Sequence, residues 1–485
     1  MAGGGGFERE ILHHLIAGER RGEPTRERRN PAESRDVVFV APDGTNSDVD
    51  AAVEAAMTAG REWAQTPAPQ RGAILTLAAQ RLAQNVDVVA RDLTREEGKT
   101  LSEAIGEVRR TIDILTFYGG EGWRFGGSTH PSSSRGTFIY TMRFPVGVVA
   151  VITPWNFPLA IPAWKIAPAL VSGNSVVFKP ASLTSLSASH LVEALVSAGL
   201  PDGVLNLVHG SGSTIGMHLV EHADVAAITF TGSTVVGNEI HKQASSRRAR
   251  VQLEMGGKNP LLVLDDADVT NAANVAAVGA FGLTGQACTA TSRVIVTQEI
   301  KEAFLDELCL SLDRYRPGNG LVDGVAMGPV VDEAQLETDL SFIELARAEG
   351  STVLAGGELL GGTMLTPAVV CDVSPKQRFA REEMFGPAIA VFDAVGLEDG
   401  LETANDVSYG LVAGICTNDL NKAHEFADRI EAGVVKVNRP TTGLELNVPF
   451  GGVKESSTNT FREQGSVAVD FFCWTKSVYL GYGSQ

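Results

Sequence analysis

Apolar positions along the chain change their period several times, and each change marks an element. From Asp48 to Gln84 the chain is rich in alanine, with apolar residues at helical spacing. Leu101 to Tyr118, after Glu97-Gly98-Lys99, repeats that pattern. Apolar residues three and four apart predict helices that pack on a core through one face. Asn30-Pro31-Ala32 reads as a turn before a strand from Asp36 to Val40, whereas the first thirty residues are charged and read as irregular. From Val146 a different rhythm begins. The apolar run Val146 to Ile152 precedes a helical segment through Leu170. Val176-Val177-Phe178 is a short strand of buried type, and a helix follows through Ala198. The strand Val204 to Val208 and a further helix lead to Ala226-Ala227-Ile228-Thr229-Phe230. This alternation predicts a parallel sheet covered by helices on both faces. A second α/β segment starts at Leu261-Leu262-Val263-Leu264 and runs to about residue 455. Open parallel sheets bind ligands beyond the carboxyl ends of their strands. Polar residues just after these strands are therefore the first candidates for a site.

Residues 124–145 break the rhythm. Gly-Gly-Ser-Thr-His-Pro-Ser-Ser-Ser-Arg and then Thr137-Phe138-Ile139-Tyr140-Thr141 read as a turn and an extended ribbon, and Val467 to Tyr482 is similarly rich in β-formers. No internal repeat is visible, and the tetraglycine near the start reads as a disordered tip.

Composition narrows the class. A chain of 485 residues suggests about three domains and can bury a large core without staples. The formal balance is 40 − 58 = −18. An acidic surface repels phosphate backbones and anionic membranes, so neither nucleic acid nor membrane is an expected partner. An anionic ligand then needs local cations. The five cysteines, Cys288, Cys309, Cys371, Cys416 and Cys473, form no CxxC pair. This argues against a disulfide framework or a metal knot, so no metal site is expected and a reducing compartment fits. No signal-type segment and no apolar run near 20 residues appears, so the expected location is the cytoplasm.

Several residues carry candidate chemistry. Thr231-Gly232-Ser233-Thr234 follows a strand and opens a helix, where N–H groups attract phosphate and Ser233 adds a hydroxyl. It is not GxGxxG. Lys179, in Phe178-Lys179-Pro180, stands at another strand end, suited to a ribose hydroxyl or a phosphate. Cys288, in Gly285-Gln286-Ala287-Cys288-Thr289, lies among small residues where a thiol can be exposed and reactive. Glu254 ends a strand beside Gly256 and Gly257. Asn156, in Pro154-Trp155-Asn156-Phe157-Pro158, is an amide held between two prolines and suited to an oxyanion. Each has a plainer account in turn chemistry, ion pairing or packing.

Taken together, these segments resemble the aldehyde dehydrogenase superfamily. Pro154-Trp155-Asn156-Phe157-Pro158, Phe178-Lys179-Pro180, Phe230-Thr231-Gly232-Ser233, Leu253-Glu254-Met255-Gly256-Gly257-Lys258, Gly285-Gln286-Ala287-Cys288, Glu382-Glu383-Met384-Phe385-Gly386-Pro387 and Pro449-Phe450-Gly451-Gly452 occur in family order. The resemblance runs from about Asn30 to Tyr479. It implies an α/β fold with a Rossmann-like dinucleotide domain (1–123 and 146–255), an α/β catalytic domain (256–455), and an oligomerisation ribbon with a C-terminal segment (124–145 and 456–485). It also implies a homodimer or homotetramer. Cys288 resembles the nucleophile, Glu254 the base that activates water, and Asn156 the oxyanion donor. Lys179, Ser182, Gly232 and Ser233 resemble the adenosine and pyrophosphate contacts, with Pro154 and Trp155 on the same cofactor crevice. Glu383 and Phe385 resemble the nicotinamide-side contacts. CoA-acylating relatives lack the glutamate at 254, so water is the expected acceptor.

Two departures bear on function. Ser182 stands where many NAD-preferring members carry a glutamate, so acceptance of NADP beside NAD is expected, because a carboxylate that would repel a 2′-phosphate is absent. Trp474 stands, in this reading, where some members have a glutamate proposed for proton relay. For the substrate, the segments Ile161 to Leu170, Pro449 to Ser457 and Arg462 to Gly465 resemble the 2-oxoglutarate semialdehyde (2,5-dioxopentanoate) dehydrogenase branch. The arginines usual in succinic semialdehyde enzymes are replaced by Trp164 and Gly282. Arg110 is the candidate for a substrate carboxylate and Arg439 a weaker one. The rival readings are an enzyme for neutral aliphatic or aromatic aldehydes, with Phe157 and Trp164 lining the pocket, and a non-catalytic protein on the same fold.

Overall fold

Two seven-stranded sheets, which divide between Glu254 and Asn259, organise the chain. The computed structural model describes residues 9–483, so the tetraglycine lies outside the described residues. In the first sheet Arg250–Glu254, Val225–Thr231, Val148–Ile152, Ser175–Lys179 and Leu205–Leu207 run parallel in that order. Antiparallel His14–Ile16 and Glu19–Arg21 complete its edge. Strands such as Val148–Ile152 and Ser175–Lys179 are buried at every position. That explains their continuous apolar text, because a parallel strand is covered on both faces. One face carries the helices Ala68–Ala83, Leu101–Glu121, Ala160–Val171 and Ser185–Ser197, and the other carries Asn46–Trp63 and Thr234–Ser246. The chain moves outward from Val148–Ile152 in one direction and then returns to its other side with Val225–Thr231. The crevice above that reversal is where such sheets take ligands.

The second sheet runs Thr352–Ala355, Ala368–Cys371, Ala388–Ala394, Thr291–Thr297, Asn259–Val263, Val412–Cys416 and Val434–Val437, parallel except at its first strand. A third, small sheet is the ribbon. Cys473–Gly481 pairs antiparallel with Thr137–Pro145, from Cys473 opposite Pro145 to Gly481 opposite Thr137, and Thr129–His130 adds an edge. Trp474, Tyr479, Leu480, Phe138 and Met142 are exposed on it.

Three expectations need correction. The charged N-terminal stretch is not irregular: Glu10–Ile11, His14–Ile16, Glu19–Arg21 and Arg26–Asn30 are strands, the first and last paired with Glu33–Ala41, His14–Ile16 with Leu205–Leu207, and Glu19–Arg21 with His14–Ile16. Such short strands follow partners rather than local propensity. The alanine-rich stretch is two helices, Asn46–Trp63 and Ala68–Ala83, separated at Pro67, which cannot continue the preceding helix. A further helix, Val86–Glu97, ends at Gly98 with φ 105 in the left-handed region that glycine adopts freely.

Candidate active site

Cys288 follows a turn that the backbone resists. After the helix Val269–Phe281, Leu283, Thr284 and Gly285 all have positive φ, at 56, 58 and 67. For the two non-glycine residues this costs of order 1–3 kcal/mol each. The surroundings hold the turn. Leu283 N–H donates to Glu103 Oε1 (2.8 Å), Thr284 Oγ1 to the Gly328 carbonyl (3.1 Å), and Val331 N–H to Gln286 Oε1 (2.9 Å). Gly285 passes so close to Gly386 that a Cβ would lie 2.3 Å from its carbonyl oxygen. Cys288 itself is half-buried. Burial pushes its thiol up, and Glu383, Glu254 and Glu463 add to the effect. Cys288 also lines the cavity described below, so its thiol keeps partial access.

Asn156 reaches the same turn. Its Nδ2 donates to the Gln286 carbonyl (2.9 Å), two residues before Cys288, and the side chain is buried. That bond uses one of two amide hydrogens. The backbone of Asn156 is clamped from below by Lys99, whose Nζ donates to the Asn156 carbonyl (2.6 Å) and to Glu107 Oε2 (2.7 Å). Glu107 Oε1 accepts from Leu159 N–H (2.9 Å) and Ala160 N–H (3.1 Å), at the start of the helix Ala160–Val171. Burial opposes the Lys99 charge, but Glu107 and Glu97 outweigh it and hold the ammonium above its usual range. The ammonium also lies 4.6 Å from the centre of the Phe157 ring.

Glu254 ends its strand facing a different motif. Its carboxylate accepts from Gly452 N–H (3.1 Å) and Ser457 Oγ (3.1 Å), and a Cβ on Gly451 would lie 2.6 Å from Oε1. Burial, with Glu463 nearby, raises its pKa well above the ordinary carboxylate range. Glu463 is buried too, accepting from Trp164 Nε1 (2.8 Å) and pairing with Lys165. Trp474, by contrast, sits on the ribbon stacked on Phe144 with 41 % exposure. Trp474 thus stands on the ribbon, and the buried carboxyl group beside Glu254 is that of Glu463. The sequence reading gave Glu463 no role of its own; its one signal was the Arg462-Glu463-Gln464-Gly465 run.

The crevice above the first sheet gathers the remaining candidates in two groups. Lys179 is buried, and its Nζ donates to the carbonyls of Pro180 (2.8 Å) and Gly210 (3.4 Å). Burial, then the charge of Arg26, brings it down to about 8. Ser182 Oγ donates to the same Gly210 carbonyl (2.9 Å). Ser233 caps the helix Thr234–Ser246, whose first turn is open: Val235 is 82 % exposed. Gly232 is not a free donor as expected, because its N–H donates to the Glu254 carbonyl (3.2 Å); a side chain there would strike Phe230. In the second group Trp155 and Phe385 meet edge to face at 5.5 Å, with Pro154 half-buried beside them. Glu383 accepts from Gly257 N–H (2.9 Å), and burial pushes it up to about 7. An open helix start, a lysine at a strand end and a paired aromatic edge fit a dinucleotide laid across the crevice.

A cavity of about 360 Å³ opens on the other side of Cys288, lined by Arg110, Phe157, Trp164, Leu283, Leu444 and Phe450 among others. Arg110 is its one cationic lining residue among those described, and its Nη2 donates to Gln464 Oε1 (2.9 Å). Arg439 is exposed and does not line it. No cluster of metal-binding side chains occurs among the described residues, and no described helix is long and apolar enough to cross a membrane.

The profile of the aldehyde dehydrogenase family matches residues 19–478. The chain belongs to the aldehyde dehydrogenase family. It is 47 % identical to an alpha-ketoglutarate semialdehyde dehydrogenase of Haloferax volcanii, over 94 % of this chain and 96 % of that protein. It is 45 % identical to a 2,5-dioxopentanoate dehydrogenase of Saccharolobus solfataricus, over 93 % of this chain and 95 % of that one. Among solved structures, a betaine aldehyde dehydrogenase of Staphylococcus aureus in complex with NAD+ superposes with a TM-score of 0.94 at 32 % identity, covering 98 % of this chain and 96 % of that one. As a member of this family the chain is an NAD(P)-dependent aldehyde dehydrogenase.

In this aldehyde dehydrogenase, Lys99 and Glu107 lie outside every family motif quoted above, and only the fold brings them together. Removing one member of a buried pair strands the other charge at a cost of about 3–5 kcal/mol. Glu107→Ala is therefore expected to lower stability by that order in denaturant unfolding. Replacing both residues by apolar ones of similar volume is expected to recover much of the loss while turnover stays low. Equal stability of Glu107→Ala and the parent would count against the pair.

Proposed function

We propose that the chain oxidises 2-oxoglutarate semialdehyde to 2-oxoglutarate through a thioester on Cys288, with water as the acyl acceptor and NADP accepted beside NAD. The observation that carries the substrate is the cavity beside Cys288, apolar along its walls and provided with one arginine, Arg110. A substrate carboxylate entering an apolar cavity needs such a partner. The identity to enzymes named for this aldehyde supports the same reading. Glu103 and Glu107 also line the cavity, but each carboxylate is tied to backbone N–H groups.

The chemistry follows from the residues. The Cys288 thiol gives its proton to water in the cavity, and the Sγ thiolate adds to the aldehyde carbon as the carbonyl π electrons pass to its oxygen. The oxygen, now an oxyanion, takes hydrogen bonds from the second Asn156 amide hydrogen and the Cys288 N–H. Losing one such donor costs about 2.7–4 kcal/mol of transition-state stabilisation. When bound, the nicotinamide supplies a positively charged ring that accepts the hydride. Cys288 then holds the acyl group as a thioester. Glu254 takes a proton from water, the water oxygen adds to the acyl carbon, and the cysteine sulfur departs as the carboxylate product forms. Glu463, bound to Lys165, is a buried carboxylate beside Glu254 that suits onward movement of that proton.

The first sheet with its helices serves the cofactor in this reading, the second carries Cys288, and the ribbon pairs with a second copy of the chain, which the exposed Tyr479, Leu480 and Phe138 support. A location in the cytoplasm agrees with the free cysteines. The aromatic lining of the cavity favours one alternative, a neutral aldehyde held by Phe157, Trp164 and Phe450.

Reduced-nicotinamide absorbance separates the two. Cys288→Ala is expected to abolish turnover. Arg110→Leu is expected to lower kcat/KM for 2-oxoglutarate semialdehyde by about 10-fold or more, the worth of a charge-assisted hydrogen bond, and to do far less with pentanal. Equal losses on both aldehydes would hand the assignment to the neutral substrate. A pH prediction follows from Glu254. It must be ionised to act, and burial with Glu463 keeps it protonated to a higher pH than usual. Activity therefore rises with pH through its raised pKa. Glu463→Gln removes the like charge, so the acid limb of kcat is expected to move to lower pH. A limb that stays or moves upward would sink the assignment of that limb to Glu254.

A further inference from the structure

One cation beside Lys179 is used neither by the motifs nor by the reading above. Arg26 belongs to the strand Arg26–Asn30, within the stretch whose pattern predicted no structure. Its Nη1 donates to the backbone carbonyl of Ser182, and its Nε donates to Asp43 Oδ1 (3.0 Å). Its Nη2 has no hydrogen-bond partner. The guanidinium is thus joined to the Lys179–Ser182 edge of the crevice, close enough to depress the Lys179 ammonium. Lys179 meets only carbonyl oxygens, of Pro180 and Gly210. The one carboxylate on Arg26, Asp43, is 58 % exposed and so screens weakly. His209, nearby and buried, is neutral: burial brings it down to about 3.

Two cations beside each other repel, and the repulsion is larger where water is excluded. Such an arrangement suits an anion carrying more than one charge. A ribose diol offers only hydroxyls, so it supplies no counter-charge to Lys179 and none to Arg26 beyond the exposed Asp43. A phosphate monoester on the same ribose carries a charge of about −1.5 to −2 and three acceptor oxygens. Arg26 is also the kind of side chain that forks onto phosphate oxygens. We propose that Arg26, acting with Lys179 and Ser182, recognises the 2′-phosphate of the adenosine ribose and sets the preference for NADP over NAD. This rests on the reading that Lys179 and Ser182 hold the adenosine end of the cofactor.

The test is calorimetric binding of 2′,5′-ADP and of 5′-AMP to the full chain, which differ in the 2′-phosphate. The parent is expected to bind 2′,5′-ADP at least about 10-fold more tightly, as one charge-assisted hydrogen bond allows. Arg26→Gln is expected to remove most of that advantage, and Arg26→Lys, which keeps the charge, to retain a good part of it. The ratio of kcat/KM for NADP to that for NAD is expected to fall about 10-fold in Arg26→Gln. A parent that binds both nucleotides equally would overturn this inference together with NADP acceptance. A parent that prefers 2′,5′-ADP, with Arg26→Gln keeping the whole preference, would overturn the role of Arg26 alone. Equal weakening of both nucleotides in Arg26→Gln would show a structural residue and overturn it too.

Discussion

The site depends on a buried ammonium. Lys99 lies just past the end of one helix and just before the cap of the next, and it is 2 % exposed. It joins three pieces that the sequence brings from far apart: the helix Leu101–Glu121 through Glu107, the Asn156 turn through its carbonyl, and the helix Ala160–Val171 through the N–H groups that share Glu107. A helix start presents unpaired N–H groups and a positive field. The Glu107 carboxyl group satisfies both, accepting from Leu159 and Ala160 N–H while Lys99 donates to its other oxygen. The pair thus fixes where the Asn156 amide can point. Glu103, one turn before Glu107, caps its own helix through Thr100 and holds the strained turn at Leu283. Two carboxylates of one helix therefore set both sides of the nucleophile.

Around Cys288 the electrostatics run against an activated thiolate. Glu254, Glu383 and Glu463 all raise its pKa, and burial raises it further. Glu254 and Glu383 are themselves pushed up by burial, Glu383 to about 7. A set of acidic groups that disfavour one another's charges gains most from an incoming cation. A positively charged cofactor ring, if bound there as proposed, would meet that need and favour the thiolate. The same field explains why Lys165 sits on Glu463 in the interior: without it a buried carboxylate would have no compensation.

Much of this was legible because it is local. The strands Val148–Ile152, Ser175–Lys179 and Val225–Thr231 announce themselves by unbroken apolar runs, and the residues after them land on one crevice because parallel strands share an end. Asn156 and Cys288 were found by such positions and by resemblance. What stayed hidden depends on partners distant in sequence. The short N-terminal strands have few apolar residues and gain their form from pairing with Leu205–Leu207 and Glu33–Ala41. Lys99 and Glu107 meet only where the turn at Asn156 closes over them. Glu463 is placed by the tail folding back: Phe450 pairs with Glu463 across an isolated bridge, and that return brings the carboxyl group beside Lys165.

The two glycine pairs show how tightly the halves are joined. Gly256 and Gly257 follow the last strand of the first sheet, and a Cβ on either would strike Glu383 or the Cys288 carbonyl, at 2.0 and 2.8 Å. Gly451 makes room in the same way for the Glu254 carboxylate, which accepts from Gly452 N–H, while a Cβ on Gly452 would strike Ser456. One glycine of each pair, Gly256 and Gly451, lets backbone come as near to a carboxylate as a side chain would forbid. The chemistry-bearing groups are therefore located by close backbone of the first half and of the tail together with the buried side chains Lys99, Glu103 and Glu107. A site built on backbone contact tolerates variation in the substrate cavity, where Arg110, Phe157 and Trp164 stand, without losing the geometry around Cys288. That separation is the physical reason a family fold can keep one reaction while its members differ in the aldehyde they accept.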